Sequence, residues 1–408
     1  MKLSKLFTKT KREVSKDEES INAQLLGKGG FINKEMAGVY SYLPLGLKVY
    51  KKIENIIREE MNLIDGQEVF MPTLQPKENW LKTNRWNIMD DLYKVSDKSD
   101  REFALGPTHE EIVTPLVKKF VNSYKDLPVY IYQFQNKFRM ELRAKSGLLR
   151  TREFMMKDLY SFHTDDKDLD EYYEKAKEAY LKIFKRLELE AYFTYASGGT
   201  FSKYSHEFQV VTEAGEDEIS ICKKCKVAIN KEIINEHKVC PECGNKDLVV
   251  KKSIEVGNIF KLKDKYSKPF DLTFKDKDGK DQVVIMGCYG FGPARALGTL
   301  VEVHHDENGI IWPESVAPFK VHLITIGGAT SDGEKIYKDL VKNGIEVLFD
   351  DREVVSAGQK FSDADLIGCP IRLVVSEKTL EKDSVEYKER NKKEAKLIKI
   401  SEITKFVK

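Results

Sequence analysis

Residues 137–163 read KFRMELRAKSGLLRTREFMMKDLYSFH, and the reading of the whole fold starts from this stretch. Arg139 and Glu141 are two apart, so on a strand they face one side. Arg150 and Arg152 repeat that spacing on the returning strand, with Phe154 in step. Between them, AKSGLL is turn-prone around Gly147. Such a hairpin offers guanidiniums for phosphate oxygens, a carboxylate for an adenine amino group and a ring for an adenine face. A charged hairpin facing solvent would explain one arginine pair but not the whole spacing.

A second stretch has the same character. Residues 287–298, GCYGFGPARALG, form a glycine-rich turn between a strand-like run and a helix-like run. The dinucleotide fingerprint fails, because Arg295 stands where its third glycine belongs, and no G-x-x-x-x-G-K-[ST] occurs. What remains, from Gly290 onward, is an arginine at a helix N-terminus, where backbone amides, helix dipole and guanidinium all favour an anion.

Bulk properties narrow the class. A chain of 408 residues has room for two or three domains. It is one-third charged, yet its net charge is only +2, so any nucleic-acid partner must be held by local patches. No apolar run reaches the roughly 18 residues of a membrane span, and the basic start MKLSKLFTKTKREVSKDEES lacks the apolar core of a secretory signal. A cytosolic protein is expected. Cys222, Cys225, Cys240 and Cys243 follow C-x2-C-x14-C-x2-C, and in a reducing compartment this reads as a closed, structural zinc ribbon. Paired disulfides or a metal-free knuckle are the alternatives. The segment is locally basic. Cys288 and Cys369 stand apart as buried thiols.

Periodicity predicts a helix over 47–64, a strand over 68–76 stopped by prolines, strands over 91–97, 101–108 and 129–141, and a helix over 166–189. Near Pro313 the texture changes. Beyond it, strand-like and helix-like runs alternate as a small α/β domain.

The F-R-x-E hairpin and the G-x-G-x-x-R turn resemble motifs 2 and 3 of the class II aminoacyl-tRNA synthetases. The helix at 47–64 with the following strand is similar to motif 1, their dimer-forming element. GVYSYLPLG, LGPTHEE, EFMMKDLYSFH, SHEFQV, NGIIWPESVAPF and DDRE…ADLIGCP resemble, more narrowly, the bacterial-type prolyl-tRNA synthetases, over nearly the whole chain apart from about 220–252.

The resemblance implies an α+β fold. A catalytic domain over 1–219 and 253–316, an antiparallel sheet flanked by helices, would carry a four-cysteine insert at 220–252 and a C-terminal α/β anticodon-binding domain at 317–408. It implies activation of L-proline by ATP and transfer to tRNA(Pro), with Mg²⁺, as a homodimer. Arg139 would bridge the α-phosphate and the amino-acid carboxylate, and Glu141 would accept from the adenine amino group. Arg150 and Arg295 would hold the γ-phosphate, with Phe154 and Arg295 on the two faces of adenine and Gly290 in the ATP-binding turn. Thr108 and Glu110 would bind the secondary ammonium, and His206 would line the amino-acid pocket. Arg352, Glu353 and Lys360 would meet anticodon bases.

One departure stands out. Many of these enzymes carry a large hydrolytic editing domain between motifs 2 and 3. Here the extra piece in that interval is only the four-cysteine segment of about 35 residues, too few for a domain with its own core without a metal staple. No hydrolysis of mischarged alanyl-tRNA is expected, which leaves correction to a separate deacylase or leaves the error uncorrected. Other readings are a threonyl or glycyl relative, an adenylating paralogue serving a carrier other than tRNA, and a zinc-ribbon nucleic-acid-binding protein. The complete arginine set argues against the last.

Overall fold

The computed structural model describes residues 1–13, 18–237 and 239–407. They divide into two compact units, one of Met36–Val39 with Glu54–Thr299, the other of Met1–Glu35, Tyr40–Ile53 and Leu300–Lys408.

The first unit is built on a nine-stranded sheet. In chain order its strands are Gln67–Glu68 (β1), Val129–Phe138 (β2), Glu153–His163 (β3), Ala191–Ser197 (β4), Tyr204–Val211 (β5), Asp217–Cys222 (β6), Ala228–Asn230 (β7), Leu248–Lys263 (β8) and Ile285–Phe291 (β9). They are ordered β5-β4-β7-β6-β8-β9-β3-β2-β1. Pairing is antiparallel except for β4 with β7 and β1 with β2. The helices used below are Pro44–Leu63 (α1), Glu110–Val117 (α2), Asp166–Arg186 (α3) and Pro293–Val303 (α4), with Thr330–Lys342 (α5) and Ala357–Ile367 (α6) in the second unit.

Helix α3 begins where the sequence stops it from beginning earlier. The Asp165 side chain caps the Asp168 amide, acids occupy its first turn and Lys185 and Arg186 its last. Its buried stripe, Leu169, Tyr172, Tyr173, Ala176, Tyr180, Ile183 and Phe184, packs on the central strands. Gly257 on β8 makes room for that helix, because a Cβ there would stand 3.0 Å from the Tyr180 ring.

Two expectations about strands change. The ladder between β2 and β3 ends at Phe138 and Glu153, so Arg139, Glu141, Arg150 and Arg152 lie in the connection 139–152 and not on strands. That connection turns through Gly147–Leu149, with Gly147 at φ +60°. The predicted strand over 68–76 is interrupted. Pro72 has no N–H to give a ladder, and the side chains of Gln133 and Gln135 bond the Met71 backbone instead.

The four-cysteine segment is woven into the sheet. Strand β6 runs across position 220 and β8 across position 252, so both expected boundaries fall inside strands. Because β5 pairs with β8 as well as with β4, strands β5, β4, β7, β6 and β8 close on themselves around Ile219, Ile221 and Ala228.

In the second unit, Val321–Thr325 (β10), Val347–Asp350 (β11), Ile371–Val375 (β12), Ser384–Glu389 (β13) and Lys396–Lys399 (β14) form a sheet ordered β11-β10-β12-β13-β14. The first three strands are parallel, the last two antiparallel. Residues 1–35, read from the sequence with the catalytic domain, group with this unit. The N-terminal ammonium donates to the Val347 carbonyl (2.7 Å), and Asn22 donates to Glu302 (2.7 Å). Among the described residues no helix is long and apolar enough to cross a membrane.

Candidate active site

The first unit encloses a cavity of about 370 Å³ bounded by β3, β8, β9, the 139–152 connection and the start of α4. Thr108, Glu110, Arg139, Glu141, Arg150, Phe154, Gly290 and Arg295, which lie far apart in the chain, all line it.

Arg139 is half-buried. One Nη donates to the Pro107 carbonyl (3.3 Å), while its buried Nε has no partner among the described residues. Burial and, further off, the Arg295 guanidinium push its pKa down from the ordinary arginine value. A desolvated, half-satisfied guanidinium facing a second one is a site for an anion. Its carbon lies 5.3 Å from the Phe154 ring centre. Arg295 is held by the Glu255 carbonyl (2.7 Å). Glu141 and Arg150 bond each other at 2.7 Å, and Arg150 also pairs with Glu216. Binding a nucleotide in the expected way would therefore exchange these internal partners for ligand atoms.

Beneath the arginines lies an ionic layer that sequence reading missed. Lys137, fully buried, pairs with buried Asp158 at 2.7 Å and donates to His109 Nδ1 at 2.6 Å. Burial and the adjacent lysine push His109 down to about 3. The neutral ring thus accepts at Nδ1 and donates from Nε2 to the Pro72 carbonyl (3.1 Å). Removing one partner from such a buried pair costs about 3–5 kcal/mol, which fixes the floor below Arg139.

Glu110 opens α2 and is fully buried. Thr108 donates to it, and the Cys288 thiol lies 3.5 Å away. Arg85 stands 3.6 Å off but bonds Glu111 more closely, at 3.0 Å. No protein cation sits at hydrogen-bond distance from Glu110 among the described residues, so its carboxylate suits a ligand ammonium. Gly106 is required here, since a Cβ would collide with the Gln75 amide that holds the Thr108 carbonyl at 2.9 Å.

His206 is placed differently from expectation. It does not line the cavity among the described residues. Its ring stacks on Phe193 (4.6 Å) and its Nδ1 meets the Tyr173 hydroxyl at 2.7 Å. Burial pushes its pKa down to about 4. Cys288 does line the cavity, with its thiol pushed well up by burial, and Cys369 is buried with its thiol pushed up to about 12. Asp158, Tyr160, Glu216, Glu255 and Asn258 also line the cavity. Asp158 and Tyr160 stand inside EFMMKDLYSFH, where only alternation with Phe154 could have pointed to them.

The sulfurs of Cys222, Cys225, Cys240 and Cys243 all lie within 4.8 Å of one another. Two pairs stand at 3.6 and 3.4 Å, near the separation of about 3.8 Å that Zn–S bonds of about 2.3 Å give in a tetrahedron. All four thiols are free, and the Asn245 amide points at the Cys222 sulfur. The donor set fits zinc.

In the second unit, Arg352, Glu353 and Lys360 line a cavity of about 360 Å³ at the C-terminal ends of β10 and β11. Two of the three are committed within the protein. Arg352 bonds Asp350 (2.7 Å) and Asp363 (2.8 Å), and Lys360 donates to the Thr325 carbonyl (2.7 Å). Glu353 is exposed.

Residues 93–304 match the profile of the tRNA synthetase class II core domain (G, H, P, S and T), and residues 320–408 match that of an anticodon binding domain. The chain is 36% identical to the Proline–tRNA ligase of Thermosipho melanesiensis, with 96% of each chain covered. It is 33% identical to that of Syntrophomonas wolfei, covering 100% of this chain and 99% of the relative. The chain belongs to the prolyl-tRNA synthetase family. The first alignment spans 543 positions, more than this synthetase's 408 residues can fill, so the relative carries residues that this one lacks. Its fold is similar to that of a Cryptosporidium parvum prolyl-tRNA synthetase solved with halofuginone and AMPPNP (TM-score 0.78, 22% identity, covering 97% of this chain and 78% of that one).

Proposed function

We propose that the chain is a proline–tRNA ligase, which joins L-proline to AMP with release of diphosphate and then passes the prolyl group to the 3′ end of tRNA(Pro). The observation that carries this reading is a single cavity holding Arg139 and Arg295 together with a buried Glu110, whose nearest protein cation among the described residues, Arg85, stands 3.6 Å off and bonds Glu111 more closely. A carboxylate oxygen attacks the α-phosphorus, the new C–O–P linkage forms and diphosphate leaves. No protein base is required, because the attacking group is already ionised. The residues supply position and positive charge. Arg139 would bridge carboxylate and α-phosphate, Arg150 and Arg295 would take the γ-phosphate, and Phe154 with Arg295 would sandwich adenine, whose amino group Glu141 accepts. Thr108 and Glu110 would hold the secondary ammonium.

Three of the carboxylates lining the cavity, Glu216, Asp217 and Glu255, are hard oxygen donors suited to Mg²⁺. When bound, that ion supplies further positive charge at the phosphates. Zinc on the four cysteines, a homodimer through α1 and the strand after it, and a cytosolic location complete the proposal. Exposed Leu63 and Phe70 at the end of α1 and beyond support the dimer. Anticodon contact would fall first to Glu353.

The test is proline-dependent exchange of diphosphate with ATP, run beside threonine, glycine and alanine. Exchange with proline foremost is expected. Arg139→Ala should abolish it while leaving the circular dichroism and hydrodynamic size unchanged. Exchange near the wild-type rate in that variant would remove Arg139 from the site.

A further inference from the structure

Five lysines of the four-cysteine segment have no part in the chemistry above. Lys224 and Lys226 flank Cys225, Lys246 follows the second knuckle, and Lys251 and Lys252 stand on the outer end of β8. All five are exposed. Their neighbours Lys223 and Lys231 are neutralised by Asp247 (3.1 Å) and Glu218 (2.7 Å), whereas none of these five forms an ion pair among the described residues. Nearby Glu242 is engaged by the Tyr195 hydroxyl at 2.6 Å. In a chain of 68 basic and 66 acidic residues, this is a local excess of positive charge.

Strand β8 leads from the cluster into the cavity. Lys251 is two residues from Ser253, hence on the same face and about 7 Å away. Ser253 lines the cavity, as does its cross-strand partner Asp217, and two residues further in stands Glu255 beside Arg295. Lys251 and Lys252 therefore stand next to the cavity wall along β8, and Lys224, Lys226 and Lys246 lie further out, toward the cysteine end of the β6–β8 pair.

We propose that this cluster docks the sugar-phosphate backbone of the tRNA acceptor arm. The inference rests on the ligase reading. Transfer occurs only when a terminal ribose hydroxyl reaches the activated carboxyl carbon inside the cavity, so the phosphates behind it must pass the cavity wall. Lysines are compact point charges that hold phosphates without selecting bases. The segment thus serves as an electrostatic guide for the acceptor arm, its two knuckles fixing where the charges stand.

The experiment uses the full chain carrying Lys246→Glu, Lys251→Glu and Lys252→Glu, none within two residues of a cysteine ligand. Aminoacylation of tRNA(Pro) is measured across a salt series, together with proline-dependent diphosphate exchange. The expected result is a KM for tRNA raised at least tenfold, a dependence of log kcat/KM on log salt flattened by about 2–3, and unchanged exchange. The corresponding Lys→Gln variant, which keeps the stems and drops the charge, should fall between and serves if the glutamates disturb the strand. Unchanged exchange with an unmoved tRNA KM and salt slope overturns the docking surface alone. Absence of proline-dependent exchange in the unaltered chain would instead strike the ligase reading.

Discussion

Glu207 shows how one side chain joins the cysteine segment to the catalytic sheet. It lies buried on β5 and accepts from Gln209 (2.8 Å) and from Asn230 of β7 (3.0 Å), while Gln209 also donates to Asp217 at the cavity wall (2.9 Å). Burial, then the nearby Glu255 charge, pushes its pKa from 4.5 up to about 8. Between those values the native protein keeps a proton that the unfolded chain has released, so native stability falls as pH rises through that window. Thermal melts from pH 5 to 8 should show Glu207→Gln gaining on the unaltered protein as pH rises. Parallel curves would mean that Glu207 is ionised throughout. Which residues share the cavity was unevenly legible in the sequence. That Arg139, Glu141, Arg150 and Arg295 would meet was readable because phosphate chemistry selects arginine at a few fixed spacings. Lys137, Asp158 and His109 were not, since a buried ionic layer follows no periodic pattern and reads as ordinary strand.

At the level of elements, helices with a clean apolar stripe and a cap announced themselves. The reading of 166–189 became Asp166–Arg186, and that of 47–64 became Pro44–Leu63. Strands were recovered where both neighbours are backbone, and were mistaken where side chains took over the pairing, as at Met71. The convergence of the four cysteines was legible from their spacing, but their place in the sheet was not. The pairing of β6 with β8 joins Asp217–Cys222 to Leu248–Ser253 across a stretch rich in turns. Because these strands also wall the cavity, metal loss should be felt there. Removing zinc with a chelator, or replacing Cys240 by Ser, should lower the melting temperature by several degrees and weaken ATP binding, with about one zinc per chain in the untreated protein by elemental analysis. A metal content near zero in a fully active, equally stable preparation would set the zinc assignment aside.

For the whole molecule, the small size of the four-cysteine segment between the two arginine motifs has a consequence for accuracy. A pocket shaped for proline rejects a smaller side chain by only about 1–3 kcal/mol per missing methylene, and alanine lacks two of proline's ring carbons, so alanine should be activated slowly but at a measurable rate. The cysteine segment spends its residues on closing the strand ring and on bringing the four cysteines together. Purified protein incubated with alanyl-tRNA(Pro) should leave the ester intact at the buffer rate, and addition of a separate deacylase should clear it. Enzyme-dependent hydrolysis by the chain alone would show an editing site elsewhere. The change of texture near Pro313 suggested a boundary there, whereas the compact units divide between Thr299 and Leu300 and residues 1–35 group with the second unit. That grouping rests on contacts such as Asn22 with Glu302, 280 positions apart.

The closed ring of strands also bears on modularity. Because β8 carries Lys251 at one end and Glu255 and Gly257 further along, cutting out 220–252 would sever the strand that builds the catalytic wall. The same architecture leaves a port for growth. Chain inserted between the knuckles, after Lys231–Glu236 and before Cys240, interrupts none of the strands that touch the nucleotide site. A lineage could enlarge this enzyme there, or trim it back, while its chemistry stayed in place.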